Sequence, residues 1–134
     1  MGDGAHETRV ATRWTDFDAL GHLTHSVVFA FLYEARDAVL TPLVGDFDAW
    51  PSVVGRVAAD FRREIPRGPR ELVVRSRIVE VSRSSIRFAQ ELLGAEGDVA
   101  VEAEAVVVAF DPETRRARPI SDADRARLAG AGCA

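Results

Sequence analysis

Apolar and polar positions alternate from the first ordered-looking stretch, with Val10, Thr12 and Trp14 on one side and Arg9, Ala11 and Arg13 on the other, which predicts an opening strand. The TDFDALGH run that follows places Asp16 and Asp18 close together ahead of Gly21, a composition that opposes further strand and predicts an irregular turn. The period then changes. In HSVVFAFLYEARDAVL, residues 25–40, the polar residues Tyr33, Glu34, Arg36 and Asp37 gather on one side of the later turns, which predicts a central helix. Its first two turns, residues 27–32, are apolar all round, so this end is expected to be engulfed.

Pro42, Gly45 and Pro51 punctuate a loop, after which alternation returns. Val53, Val57, Ala59, Phe61 and Ile65 share one face of a second strand that stops at PRGP, residues 66–69. RELVVRSRIVEV, SSIRFAQELL and VAVEAEAVVVAF read as strands three to five, joined by the turns at residues 82–84 and at AEGD. Near the end, Ser121 as N-cap with Asp124 at the third helical position predicts a short C-terminal helix. One strand, one long helix and four strands on short turns exclude a doubly wound parallel sheet. Short turns demand antiparallel neighbours, and the 25–40 helix is the one segment apolar enough to cover the sheet. The fold class is therefore α+β, one domain across residues 1–134, with 1–6 and 130–134 expected as tails.

A chain of 134 residues holds one core of useful size. No stretch approaches the roughly 18 uninterrupted apolar residues of a membrane span, and MGDGAHETRV lacks the basic and apolar regions of a signal peptide. A cytoplasmic protein with no membrane partner is expected. Cys133, the lone cysteine, has no disulfide partner within the chain and no metal-binding neighbour, and is expected to be inert. The net charge of −4 disfavours a nucleic acid partner. All 17 basic residues are arginine, whose donor fork suits phosphate oxygens.

The segment RWTDFDALGHLTHSVVFAFLYEAR resembles the signature of the 4-hydroxybenzoyl-CoA thioesterase and acyl-CoA thioesterase group of the hotdog superfamily, in which Asp-x-Asp-x-x-Gly-His leads into a helix carrying Glu-Ala-Arg. Here those positions are Asp16, Asp18, Gly21, His22, Glu34, Ala35 and Arg36, and DFRREIPRGPRELVVRSRIVEVSRSSIRFAQEL resembles the family's second to fourth strands. The resemblance implies a hotdog fold, a curved antiparallel sheet wrapped around one long central helix, and hydrolysis of an acyl-CoA or carrier-protein thioester. It implies that Asp18 is the catalytic carboxylate, as nucleophile or as general base, with the backbone amide at His25 as oxyanion donor. Such chemistry needs a nucleophile and donors where charge develops, and bare amides at a helix start supply the second. Gly21 lets the main chain turn closely between the two. His22 is a candidate to orient Asp18 or the carbonyl.

Val28, Phe31 and Val57 are candidates for an acyl tunnel, and Arg83 and Arg87 for the CoA phosphates. Thr24, His25 and Val28 replace the family's paired asparagines and aromatic, which bears on acyl specificity. Asp16 is expected to hydrogen-bond within its own turn, and Glu34 and Arg36 to make structural hydrogen bonds. Asp16, Asp18, His22 and His25 could in principle hold a metal, but Asp18 is accounted for without one; neither metal nor cofactor is expected. Edge-to-edge pairing into a homodimer or a dimer of dimers is implied, each site built from both chains. Two other readings remain. A hotdog hydratase or dehydratase resembles Asp-x-Asn-x-x-His, and this chain has no asparagine. A non-catalytic acyl-CoA-binding module would have less reason to keep Asp18 and Gly21.

Overall fold

The computed structural model describes residues 4–131, so Cys133 lies outside the described residues. Strand β1 (His6–Ala11) is followed by a 3-10 turn (Trp14–Asp16), helix α1 (His25–Val44), strands β2 (Ser52–Phe61), β3 (Glu71–Val81), β4 (Ser85–Leu93), β5 (Val99–Asp111) and β6 (Arg116–Ala117), and helix α2 (Asp122–Ala129). The strands form one antiparallel sheet in the order β1-β3-β4-β5-β2, with β6 paired to β5. β3, β4 and β5 follow one another on short turns, as adjacent antiparallel strands do. β1 and β2 are separated by the helix and end up on opposite edges.

Alternate residues of the central strands point inward: Leu72, Val74 and Ile78 from β3, Ile86, Phe88 and Leu92 from β4, and Val101, Ala105 and Val107 from β5 are all buried. Against them α1 lays Val28, Phe31, Leu32, Ala35 and Val39, a stripe at helical spacing. Burying a side chain the size of Phe88 contributes about 1.5–3 kcal/mol. Between the two halves of the core sits one polar knot. The Gln90 amide donates to the Leu32 carbonyl and the Ser76 hydroxyl, each at 3.0 Å, and its Oε1 accepts from Arg36 Nη1 at 2.9 Å. Arg36 thus makes the structural hydrogen bond expected of it, whereas Glu34 is exposed and makes none among the described residues.

Several boundaries differ from the sequence reading. β1 spans His6–Ala11 and does not reach Trp14, because the Arg13 N–H and guanidinium bond the buried Asp16 carboxylate at 2.7 and 3.1 Å and wind the chain into the 3-10 turn. His6 belongs to β1 and not to a tail, and its Nε2 lies 3.0 Å from the carbonyl of Ala131. α1 runs through Pro42 to Val44 and is closed by Gly45, whose N–H donates to the Thr41 carbonyl at 3.0 Å and whose φ is 109°. A proline two residues before the helix end forfeits a single internal bond. β2 stops at Phe61, because Arg62 and Arg63 both donate to the Ala100 carbonyl and break the ladder before Ile65. β6 was not expected. The first turns of α1 are buried on one side only, leaving Phe29 40% exposed. The C-terminal helix follows expectation, with Asp124 N–H donating to Ser121 Oγ at 3.1 Å.

Candidate active site

The two aspartates of the Asp-x-Asp run do different things. Asp16 is buried and satisfied by Arg13, and its carbonyl accepts from the Thr24 N–H at 2.9 Å, so it ties the opening turn to the start of α1. Asp18 is exposed, at the head of a small hairpin that a Phe17–Leu23 bridge closes. Within it the Asp18 N–H donates to the His22 carbonyl at 2.8 Å and the Gly21 N–H to the Asp18 carbonyl at 2.9 Å. Gly21 sits at φ 79°, a conformation that side chains with a Cβ seldom adopt. The hairpin is held from outside by the segment after β2. Leu23 N–H donates to the Ile65 carbonyl at 2.8 Å, and Arg67 N–H to the Gly21 carbonyl at 2.7 Å.

This geometry polarises Asp18. Its Oδ1 accepts two backbone N–H groups, from Leu20 and His22, each at 3.0 Å, while Oδ2 has no hydrogen-bond donor among the described residues. The His22 amide, and after it the Leu20 amide, hold the carboxyl below the usual aspartate range, with smaller contributions from the nearby His22 and His25 side chains. Desolvation by the surrounding loop, second in weight only to the His22 amide, opposes them without reversing the shift. Asp18 is therefore an anion at neutral pH with one oxygen free to act.

Seven residues further on, at His25, α1 begins. Its N-cap, Thr24, makes no side-chain cap bond, and its carbonyl receives the Val27 and Val28 N–H groups at 3.1 and 3.3 Å. The N–H groups of His25 and Ser26 have no acceptor among the described residues. They stand at the positive end of the helix dipole, where an anion is favoured. Asp18, His22, His25, Val28 and Phe61 line one cleft of about 420 Å3, floored by Leu23, Ile65 and Val101. The His25 ring lies 4.4 Å from that of Phe61, which meets Phe29 edge-on at 6.1 Å. His22 Nε2 is 3.2 Å from Glu64 Oε2, so its ring is oriented by a carboxylate other than Asp18.

Of the residues singled out from the sequence, Asp18, His22, His25 and Val28 meet in this cleft, with Gly21 in the loop behind it. Phe31 and Val57 do not line it; Phe31 is buried in the core beneath α1 and Val57 packs against the other half of the core. Arg83 and Arg87 are not brought to it within one chain. Arg87 faces Glu80 and Glu104 at 3.8 and 4.0 Å, and Arg83 offers its carbonyl to Ile120 N–H. Phe61 and Glu64 are absent from the sequence reading of the site. Phe61 reaches it at the end of β2, paired with Val101, and Glu64 through the pairing of the segment after β2 with the hairpin, long-range contacts that leave no local pattern.

A family model described as the Thioesterase-like superfamily matches residues 12–128. A thioesterase from Thermus thermophilus, crystallised with coenzyme A and Zn, is 30% identical, with a TM-score of 0.81 over 91% of this chain and 95% of that one. A predicted thioesterase from Bacillus stearothermophilus is 24% identical, with a TM-score of 0.83 over 94% and 95%. A 1,4-dihydroxy-2-naphthoyl-CoA thioesterase from Synechocystis shares the fold at 15% identity and a TM-score of 0.81, over 93% and 96%. No curated protein matches the chain in sequence. The sheet around one helix, the carboxylate hairpin before that helix and these likenesses agree, and the chain belongs to the Thioesterase-like superfamily of hotdog proteins.

Proposed function

We propose that this protein hydrolyses the thioester of an acyl-CoA or a related pantetheine conjugate, with Asp18 as the reacting carboxylate and the amides at the start of α1 as the oxyanion site. One observation carries the reading: the free Oδ2 of Asp18 and the unpaired N–H groups at His25 and Ser26 belong to the two ends of one short segment that borders a single cleft. A thioester carbonyl seated there meets an anion on one side and donors for its oxygen on the other. The apolar lining of Leu23, Val28, Phe61, Ile65 and Val101 accommodates an acyl group.

Two routes use these parts. With Asp18 as nucleophile, Oδ2 adds to the carbonyl carbon, the C–S bond breaks, the thiol leaves after taking a proton, and water cleaves the resulting mixed anhydride. With Asp18 as base, Oδ2 removes a proton from water, whose oxygen makes the new C–O bond as the thiol departs. Single turnover in 18O-water bears on the choice: label in the Asp18 carboxyl requires an anhydride cleaved at the Asp18 carbon, whereas the base route places label only in the free acid.

The primary test is thiol release from a panel of aliphatic, aromatic and short polar acyl-CoAs. Wild type is expected to release thiol from at least one of them, and Asp18→Asn to lose about 10²-fold or more in kcat, the range of a positioned proton-transfer group. Undiminished hydrolysis by Asp18→Asn removes the assignment. Tight acyl-CoA binding with no hydrolysis by wild type replaces the enzyme with a binding module, and hydration of crotonyl-CoA replaces it with a hydratase.

A further inference from the structure

Arg67 follows Pro66 in the turn between β2 and β3, away from the residues that face the cleft. A partly exposed arginine in an acidic chain ordinarily faces a carboxylate; Arg67 has no ion pair among the described residues. Its donors go instead to the main chain that leads into Asp18. Nη1 donates to the Trp14 carbonyl at 2.7 Å, and Nη2 reaches the Phe17 and Asp18 carbonyls at 3.5 and 3.4 Å. The guanidinium lies against the aromatics of the same segment, its Cζ 3.6 Å from the Trp14 ring centroid and 5.2 Å from that of Phe17. Its own N–H meanwhile holds the Gly21 carbonyl at 2.7 Å. One residue therefore grips the hairpin before, at and after Asp18.

We propose that Arg67 is a positioning residue for hydrolysis, fixing the Asp18 hairpin so that the Leu20 and His22 amides stay on Oδ1 and Oδ2 faces the cleft. This rests on the reading of Asp18 as the reacting carboxylate. Phe17 and Leu23 anchor the base of the hairpin in the core, but the chain on either side of that bridge has little packing to hold it: Trp14 is 75% exposed and Leu20, beside Asp18, 80%. A planar fork of donors can serve several carbonyls while stacking on a ring, which an ammonium cannot do. A shift of about 1 Å in a reacting group costs on the order of 10²-fold in rate.

The test compares wild type, Arg67→Met, Arg67→Lys and Asp18→Asn for kcat, KM, the pH profile of kcat/KM and Tm. Arg67→Met is expected to lower kcat by about 10²-fold with KM little changed, and to move the acid limb upward as the two amides lose their hold on Oδ1. Arg67→Lys is expected to fall between, with the same direction of shift. An Arg67→Met protein that folds with wild-type kcat and an unmoved acid limb overturns the proposal, as does a loss of kcat with no shift of that limb. Should Arg67→Met fail to fold, the same two readings on Arg67→Lys decide. Full activity in Asp18→Asn defeats the Asp18 reading and this one with it; an inactive Asp18→Asn beside an unaffected Arg67→Met defeats this one alone.

Discussion

Asp16 and Asp18 are chemically identical and two positions apart, yet one is buried and charge-paired while the other is exposed with an open oxygen. Residue type could not separate them; the partners could. Because backbone amides stabilise the Asp18 anion, its carboxyl is expected to titrate below the ordinary aspartate value of about 3.9. A 13C titration of the side-chain carboxyls checks this, and a value at or above the ordinary one contradicts the two-amide geometry. A depressed folded-state pKa contributes stability above the unfolded value, and that contribution is lost as pH falls through the folded one. At Gly21 the prediction is steric. A Cβ there meets nothing within 4 Å, so Gly21→Ala is strained only by φ 79°, at a cost of about 1 kcal/mol. A lowered Tm and a lowered kcat together are expected, since the hairpin can relieve that strain only by moving Asp18.

At the level of elements, periodicity made the sheet and helix legible. β3, β4 and β5 carry clean alternation on short turns, and α1 has one apolar stripe, so their existence and antiparallel order followed from pattern alone. Their ends were less legible, because ends are set by single tertiary bonds. Arg13 with Asp16 ends β1, Ala100 ends β2, and Pro42 reads as a stop although it rides in the last turn of α1. The same holds for the site. Asp18, His22 and His25 lie within one contiguous motif, whereas Phe61 and Glu64 arrive from another part of the chain. The knot between α1 and the sheet was equally invisible, since Gln90 occupies an inward position that the strand pattern assigns to an apolar residue. Gln90→Leu tests its weight. It leaves the buried Arg36 Nη1 and the Ser76 hydroxyl without their partner and is expected to lower unfolding free energy by about 2–3 kcal/mol, measured by chemical denaturation. Unchanged stability would show that the knot adds nothing beyond the fit of an apolar side chain.

Across the whole molecule, among the described residues, both edge strands of the sheet, β1 and β2, are paired on one side only, and the β2 edge is the one bordered by exposed apolar side chains. Among the described residues β2 pairs with β5 along one edge and with no strand along the other, so its outer N–H and C=O groups are open to a further strand. Along this edge and the adjoining face of α1, Val53, Val54, Phe61, Phe29 and Tyr33 are each between 40% and 51% exposed. A free sheet edge bordered by five large apolar side chains is costly in water and is self-complementary about a two-fold axis. Phe61 lines the cleft against the His25 ring and meets Phe29 edge-on behind it, so a second copy docked on this edge would wall that end of the site. The chain is therefore expected to be a homodimer at micromolar concentration by light scattering, joined through β2. Val54→Arg, which places a charge on the half-exposed first part of that edge, is expected to give a folded monomer whose kcat/KM falls by at least about 10-fold, the size of a lost apolar contact in a pocket. A wild-type monomer with full activity would separate assembly from catalysis; a Val54→Arg dimer would place the interface elsewhere. If instead monomer and activity loss appear together, the exposed apolar edge and the open cleft are one feature: the side left unburied by a sheet around a single helix is the side the substrate needs covered.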